Sequence, residues 1–412
     1  MYKRIVDDSW SFKTANTKEF THCYHTYPAM MIPQVARSLI ESYAPEGKLE
    51  LLFDPYMGSG TSLVEAALKG IKSVGTDINP LARMIAQAKT THFDINKINA
   101  YLADIQLLGL KYSPKDVSDN DFSRISNYSF WYSNDVLLKL SFITQVIKSF
   151  DDDVQLFFKV ALSEVIREVS YTRNGEFKRF RMPEDKIRKF NPDVFGLFEG
   201  KVFRNLEGLV QFNNSTGTGA EICSFNTVNE IPEDIMPDNS VDMIVTSPPY
   251  GDSHTTVAYG QFSRWANEWF NFENAANLDN YLMGGKKKAL PKFETESIKD
   301  VLKEIEKADG KRYSEVVSFL NDYSESIRNI APKVRRGGKI CFVVGNRTVK
   351  GKQIPLDFFT AEMFEKYGYR HQITIVREIP NKRMPSKNSP TNVSGAIAAT
   401  MNNEYIVILD RK

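Results

Sequence analysis

A glycine-turned strand–helix–strand unit near the N-terminus, a return of that alternation after residue 220 and a mostly helical stretch between them predict an α/β fold, parallel over most of its sheet and interrupted in sequence. The apolar run 49–53 reads as a buried strand, which Gly58-Ser59-Gly60 turns into a helix over 61–68 that stops at Gly70. A second strand is expected at 73–78, after which Asn79-Pro80 supplies an N-cap and a first-turn proline for a helix reaching about Lys89. Long amphipathic patterns follow at 135–150 and 153–170, and then a loop-rich basic stretch. The alternation resumes with strands at 221–225 and 241–246, a helix from 313 to about 334 and a strand at 339–344. Two last strands, 369–379 and 403–410, suggest an antiparallel hairpin at one edge of the sheet. The framework is therefore assigned to 1–95 and 221–412, with a helical insertion at 96–220 and a second, irregular one at 253–312.

Composition narrows the class. Of 412 residues 42% are hydrophobic and 25% charged, the balance of an ordinary globular chain. No apolar run reaches the ~18 residues of a membrane helix, and MYKRIVDDSWSF lacks a signal-peptide core, so a cytoplasmic protein is expected. Three widely spaced cysteines, Cys23, Cys223 and Cys341, suit a reducing compartment and offer no zinc spacing; no metal is expected. Lys and Arg total 53 against 51 acids, so a polyanion would have to be met by local basic patches.

The segment Asp54-Pro55-Tyr56-Met57-Gly58-Ser59-Gly60-Thr61 lies between a strand and a helix, where glycines let backbone amides approach a ligand. Leu63 stands where a dinucleotide fingerprint needs its third glycine, and no Lys-Ser/Thr pair follows, which excludes a P-loop. Asp77, at the end of the next strand, can accept both hydroxyls of a ribose. The ligand implied is a nucleoside without an essential pyrophosphate, such as S-adenosylmethionine. Thr246-Ser247-Pro248-Pro249-Tyr250 follows a second apolar strand; its prolines stiffen a loop of exposed carbonyls beside one aromatic face. Such a loop can accept hydrogen bonds from an exocyclic amino group while Tyr250 stacks on the base that bears it.

The chain here resembles the S-adenosylmethionine-dependent DNA amino-methyltransferases, in particular those that modify cytosine at N4. Asp54 to Thr61 is similar to their cofactor motif D-P-F-x-G-S-G-T, and Thr246 to Tyr250 to their catalytic T-S-P-P-Y. His25-Thr26-Tyr27-Pro28-Ala29-Met30-Met31-Ile32-Pro33 is similar to their N-terminal cofactor block, and Pro237-Asp238-Asn239-Ser240-Val241-Asp242 to the lead-in to the catalytic strand. The match is close over about 20–90 and 221–250, and over 313–412 holds at the level of strand pattern. It implies a Rossmann-like methyltransferase with a mostly parallel seven-stranded sheet ending in an antiparallel hairpin. It also implies cofactor contacts from Tyr27, Pro28, Asp54, Pro55, Met57, Gly58, Ser59, Gly60, Thr61, Asp77 and Ile78, and catalysis by Ser247, Pro248, Pro249 and Tyr250. One departure is Ser224-Phe225-Asn226, where the family often has Gly-Asp-Ala; Asn226 is the substitute expected to meet the adenine.

The resemblance further implies duplex DNA as partner, leaves room for a cognate restriction endonuclease, and makes 96–220 the candidate target-recognition region. Within it Arg173, Lys178, Arg179 and Arg181 are interleaved with Tyr171, Phe177 and Phe180 and are the expected DNA contacts. The acid-free run 332–352 adds Arg347, and Lys286-Lys287-Lys288 forms a weaker basic loop. Asp252 and His254 are close enough in sequence to receive a proton. Methylation at cytosine C5 is set aside because no cysteine follows a proline. Relatives acting on adenine N6 usually carry Asp or Asn at the position of Ser247, which favours cytosine, but that preference is not absolute and adenine stays open as the runner-up. A catalytically silent DNA- or cofactor-binding protein and an RNA substrate are the remaining alternatives.

Overall fold

The computed structural model describes residues 2–175, 177–215, 217–252, 256–286, 290–379, 387–388, 398–399 and 401–412. One sheet organises it, built from β1 (Arg4–Val6), β2 (Leu51–Asp54), β3 (Lys72–Thr76), β4 (Ala220–Cys223), β5 (Val241–Thr246), β6 (Val334–Val344), β7 (Tyr369–Glu378) and β8 (Asn403–Arg411). Their order across the sheet is β1-β7-β8-β6-β5-β2-β3-β4. β2 pairs in parallel with β3 and β5, β3 with β4, and β5 with β6. β8 runs antiparallel to both β6 and β7.

Two expectations need correction. The sheet has eight strands, not seven, because β1 adds in parallel to β7, with Arg4 opposite Thr374. Only three residues long and exposed on both flanks, it leaves no periodic signal to read. The terminal hairpin is also not the edge: β8 turns inward between β6 and β7, and β1 takes the outer position.

Local chemistry accounts for the elements next to the sheet. Gly60, at φ 78°, caps the helix Thr61–Leu68, and its place is enforced by packing, since a Cβ there would lie 2.8 Å from that of Ala86. Asn79 caps Pro80–Lys89 by accepting the backbone N–H of Leu81 at 3.2 Å. Because β2 leads outward through β3 to β4 on one side, and β5 leads through β6 on the other, the chain reverses direction between β2 and β5. Open α/β sheets form their binding crevice at such a point.

The helical region does not stand apart from this framework. Its helices Ile95–Leu110, Asn134–Lys148, Asp152–Glu168 and Val194–Asn213 share one apolar core with Leu81 and Ile85 of Pro80–Lys89 and with Phe262 and Trp265 of the helix Tyr259–Trp269. That last helix belongs to the stretch 253–312, which divides between two cores: Leu302 and Ile305, on Lys299–Ala308, pack with Phe319 and Tyr323 on the far side. Among the described residues no helix is long and apolar enough to cross a membrane.

Trp265, only 1% exposed, has its ring 5.0 Å from that of Trp131 and 5.8 Å from that of Tyr132. Trp265→Ala should therefore cost about 3–5 kcal/mol in urea unfolding. A loss below about 1 kcal/mol would contradict a core shared between the two insertions.

Candidate active site

The carboxyl ends of β2 and β5 are tied by a buried side-chain bond: Thr246 Oγ1 donates to Asp54 Oδ1 at 2.5 Å, and the same oxygen accepts the backbone N–H of Tyr56 at 3.2 Å. Burial pushes the Asp54 carboxyl up to about 6, against the pull of these hydrogen bonds. Beyond Asp54 the chain turns through Gly58, at φ 49°, and Gly60; Met57 N–H donates to Thr76 O at 3.2 Å, and Gly58 N–H to Asp77 Oδ2 at 3.2 Å. The loops after β2, β3, β4 and β5 thus surround one cleft, with about 920 Å³ of free space when its open mouth is included. That is the size of a small-molecule site.

Tyr27, Pro28, Asp54, Pro55, Met57 and Gly58 line the cleft, as do Ser59, Thr61, Asp77, Ile78 and Asn226. Gly60 stays behind the wall as the helix cap. Asp77 is half-buried, accepts the backbone N–H of Asn79 on Oδ1 at 2.7 Å, and is pushed up to about 6 by burial, offset in part by Asn79, Arg83 and Gly58. Asn226 is held by its own loop and by a distant one: Oδ1 accepts Val228 N–H at 3.0 Å, and Nδ2 reaches Tyr281 O at 3.4 Å.

Sequence reasoning gave Asn79 only a capping role, yet it is also the hub of a buried network. Its Nδ2 donates to Tyr27 Oη at 2.8 Å and to Ser263 Oγ at 2.7 Å, and its Oδ1 accepts from Asn267 Nδ2 at 3.2 Å. The helix Tyr259–Trp269 is thereby fixed to the cleft, and Tyr259 stacks on Tyr27 with ring centroids 6.0 Å apart. The partners come from two segments far from Asn79 in the sequence, so no spacing rule could have joined them.

Of the loop after β5, Ser247 and Pro249 face the same cleft. Tyr250 is half-buried, with its ring so close to Gly345 that a Cβ there would strike it and Met401. Its hydroxyl sits 3.1 Å from Ser247 Oγ and donates to Glu404 Oε1 at 3.0 Å. Pro248 joins these residues without lining the cleft.

The basic residues fare differently. Arg347 is not a surface phosphate contact: its guanidinium is largely buried, pairs with Asp252 Oδ2 at 3.2 Å and lies over the Phe319 ring. This also engages Asp252, which is 2% exposed, so Asp252 is not poised to take a proton from the cleft; His254 lies outside the described residues. The acid-free run 332–352 is mostly neutralised in space, with Lys333 on Glu233 and Asp238, Arg335 on Asp242, Lys339 on Asp410, Lys350 on Asp309 and Lys352 on Glu304, while Arg336 is exposed. Lys286 is exposed, whereas Lys287 and Lys288 lie outside the described residues.

Around Thr172 and Arg181, which form an antiparallel bridge, the chain folds into a short hairpin. Arg173 is exposed and Lys178 half-exposed on it. Arg179 lies 5.4 Å from the Trp265 ring and 5.8 Å from that of Trp131; Arg181 stacks on Phe130 and pairs with Glu184. Phe177 and Phe180 are exposed, and Phe177 also meets Phe262, which in turn meets Tyr27 in the cleft wall. Among the described residues no group of three His, Cys, Asp or Glu side chains could hold a metal ion.

Comparison with known proteins supplies the wider frame. The DNA methylase family model matches residues 2–88. The Type II methyltransferase M.MvaI of Kocuria varians is 39% identical over 99% of this chain and 95% of its own. The Type II methyltransferase M.BsoBI of Geobacillus stearothermophilus is 22% identical over 90% of this chain and 84% of its own. The Type II methyltransferase M.MjaII of Methanocaldococcus jannaschii is 29% identical over 48% of this chain and 35% of its own.

The raised Asp77 carboxyl has a consequence for stability. The folded state keeps a proton that the unfolded chain releases, so stability falls as pH rises from about 4 to about 6. Asp77→Asn removes that loss. In thermal or urea unfolding without ligand, the variant should gain about 1–2 kcal/mol over the parent above pH 6, and the gain should vanish near pH 4. A gain that does not change with pH would refute the raised carboxyl.

Proposed function

Because the chain belongs to the DNA methylase family, as a Type II DNA methyltransferase using S-adenosylmethionine, we propose that it methylates the exocyclic N4 amine of a cytosine flipped out of duplex DNA. The observation that carries this reading is that Ser247 and Asp77 line one cleft, joined at its base by the Asp54–Thr246 bond. The cleft fits the cofactor: Asp77 is placed to accept ribose hydroxyls beside the glycine turn, while Met57, Ile78 and Phe225 offer an apolar wall for an adenine. When bound, S-adenosylmethionine supplies a methyl group already activated on a sulfonium, so no covalent enzyme intermediate is needed.

The protein's own task is then to aim the amine. Ser247 Oγ, which faces the cleft, accepts an N–H bond from it, which raises electron density on nitrogen as charge develops, while Pro248 stiffens the loop that holds the serine. Tyr250, which follows the cleft-lining Pro249 and does not itself line the cleft, is assigned the stacking face; its ring packs closely against Gly345 and its hydroxyl is held by Glu404. No strong base is required beforehand, since the proton becomes acidic only as the new bond forms. Serine at position 247 favours cytosine over adenine. Arg173 and Lys178, on the hairpin whose aromatic residues lead to the cleft wall, are placed to meet phosphates, and the helical region would choose the DNA site. In a restriction–modification pairing, such a mark would protect DNA from a cognate endonuclease.

Nucleoside mass spectrometry of DNA incubated with the protein and S-adenosylmethionine should reveal N4-methylcytosine. N6-methyladenine as the only product would overturn the cytosine assignment. On the same DNA, Arg173→Ala with Lys178→Ala should lower the slope of log affinity against log salt by about one per lost phosphate contact; an unchanged slope would remove the hairpin from the interface.

A further inference from the structure

Glu404, the second residue of β8, lies directly across the antiparallel ladder from Arg377, which is 3% exposed. The two side chains pair through Arg377 Nη1 and Glu404 Oε2, while Arg377 Nε donates to Trp10 O at 2.8 Å. The other carboxylate oxygen, Oε1, accepts from Tyr250 Oη at 3.0 Å, and Tyr250 Oη lies 3.1 Å from Ser247 Oγ at the cleft. A guanidinium partner keeps the carboxylate an acceptor, and an acceptor at one end of a hydroxyl chain sets the direction of every proton along it.

We propose that Glu404 is a positioning residue that makes Ser247 a pure acceptor towards the target base, so that the site takes a base carrying an amino group and refuses one carrying a carbonyl in its place. This rests on the reading of the cleft as an amino-methyltransferase site. The only hydroxyl proton of Tyr250 goes to Glu404, so the contact between Tyr250 and Ser247 forms with Ser247 Oγ donating. Its own proton spent, Ser247 presents lone pairs to the cleft. An amino group meets them with N–H bonds, whereas a carbonyl oxygen meets them lone pair to lone pair and loses its water without compensation. Discrimination thus originates in a side chain that touches neither base nor cofactor.

Glu404→Gln tests this with almost no change of shape. Arg377 claims the amide oxygen, which turns the amide N–H₂ towards Tyr250; the Tyr250 proton then passes to Ser247, and the Ser247 proton points into the cleft. Sequencing of DNA methylated by the parent fixes the target position. Duplexes are then made with the target unpaired and carrying either the amino base or its carbonyl counterpart, cytosine against uracil or adenine against hypoxanthine, and binding is measured without cofactor. The parent should hold the amino base about tenfold or more tightly, and Glu404→Gln should abolish or invert that preference while S-adenosylmethionine affinity stays near that of the parent. Tyr250→Phe, which cuts the chain and frees the Ser247 proton, should also lose the preference. If Glu404→Gln discriminates as the parent does, or if the parent shows no preference, the proposal falls. A methylated amine among the products of the parent would still leave the functional reading standing.

Discussion

The hydrogen bond from Thr246 to Asp54 is the constraint on which the site depends. It crosses from β5 to β2 at the point where the chain reverses direction, and it lies out of water, where an unpartnered carboxylate or hydroxyl would cost about 1–3 kcal/mol. Asp54 opens the glycine turn and Thr246 opens the Ser-Pro-Pro-Tyr loop, so one contact sets the distance between the wall suited to a nucleoside and the loop suited to an amine. Methyl transfer is sensitive to that distance, because positioning carries most of its rate.

Two further networks extend this rigidity outward. Asn79 binds Tyr27, Ser263 and Asn267, and so carries the cleft into the helix Tyr259–Trp269; Trp265 on that helix carries it into the core of the helical region. On the opposite side, Tyr250 reaches Glu404 and Arg377 at the sheet's antiparallel end. The terminal strands, which contribute no motif of their own, thus buttress the loop proposed to receive the base. The hairpin with Phe177 and Phe180 connects through Phe262 to Tyr27, so the surface suited to DNA and the cleft share one packed framework.

Features set by neighbouring residues were legible in the sequence. The helices Thr61–Leu68 and Pro80–Lys89 and the strand Val241–Thr246 stand as expected, because their signals are a glycine turn, an Asn-Pro start and a short apolar run. The turn and the proline loop could be expected at one cleft because the order of an α/β sheet brings strand ends together, and both contribute to its lining. Features that depend on partners far along the chain were not legible. The run 332–352 holds no acid, but all its lysines and arginines except the exposed Arg336 find one at Glu233, Asp238, Asp242, Asp252, Glu304, Asp309 or Asp410, so most of the apparent basic patch is taken up in ion pairs. Glu404 escaped for the same reason, 154 residues from the tyrosine it orients. The strand Arg4–Val6 escaped because three residues pairing at an edge carry no period.

The central claim is that a single cleft holds the methyl donor and receives the base. A crystal structure with S-adenosylhomocysteine and a duplex carrying the target site tests it most directly. The nucleoside ribose should lie on Asp77, and the target base out of the helix with its exocyclic nitrogen within hydrogen-bonding distance of Ser247 Oγ. A cofactor bound elsewhere, or a base that reaches the protein away from Ser247 and Tyr250, would contradict it.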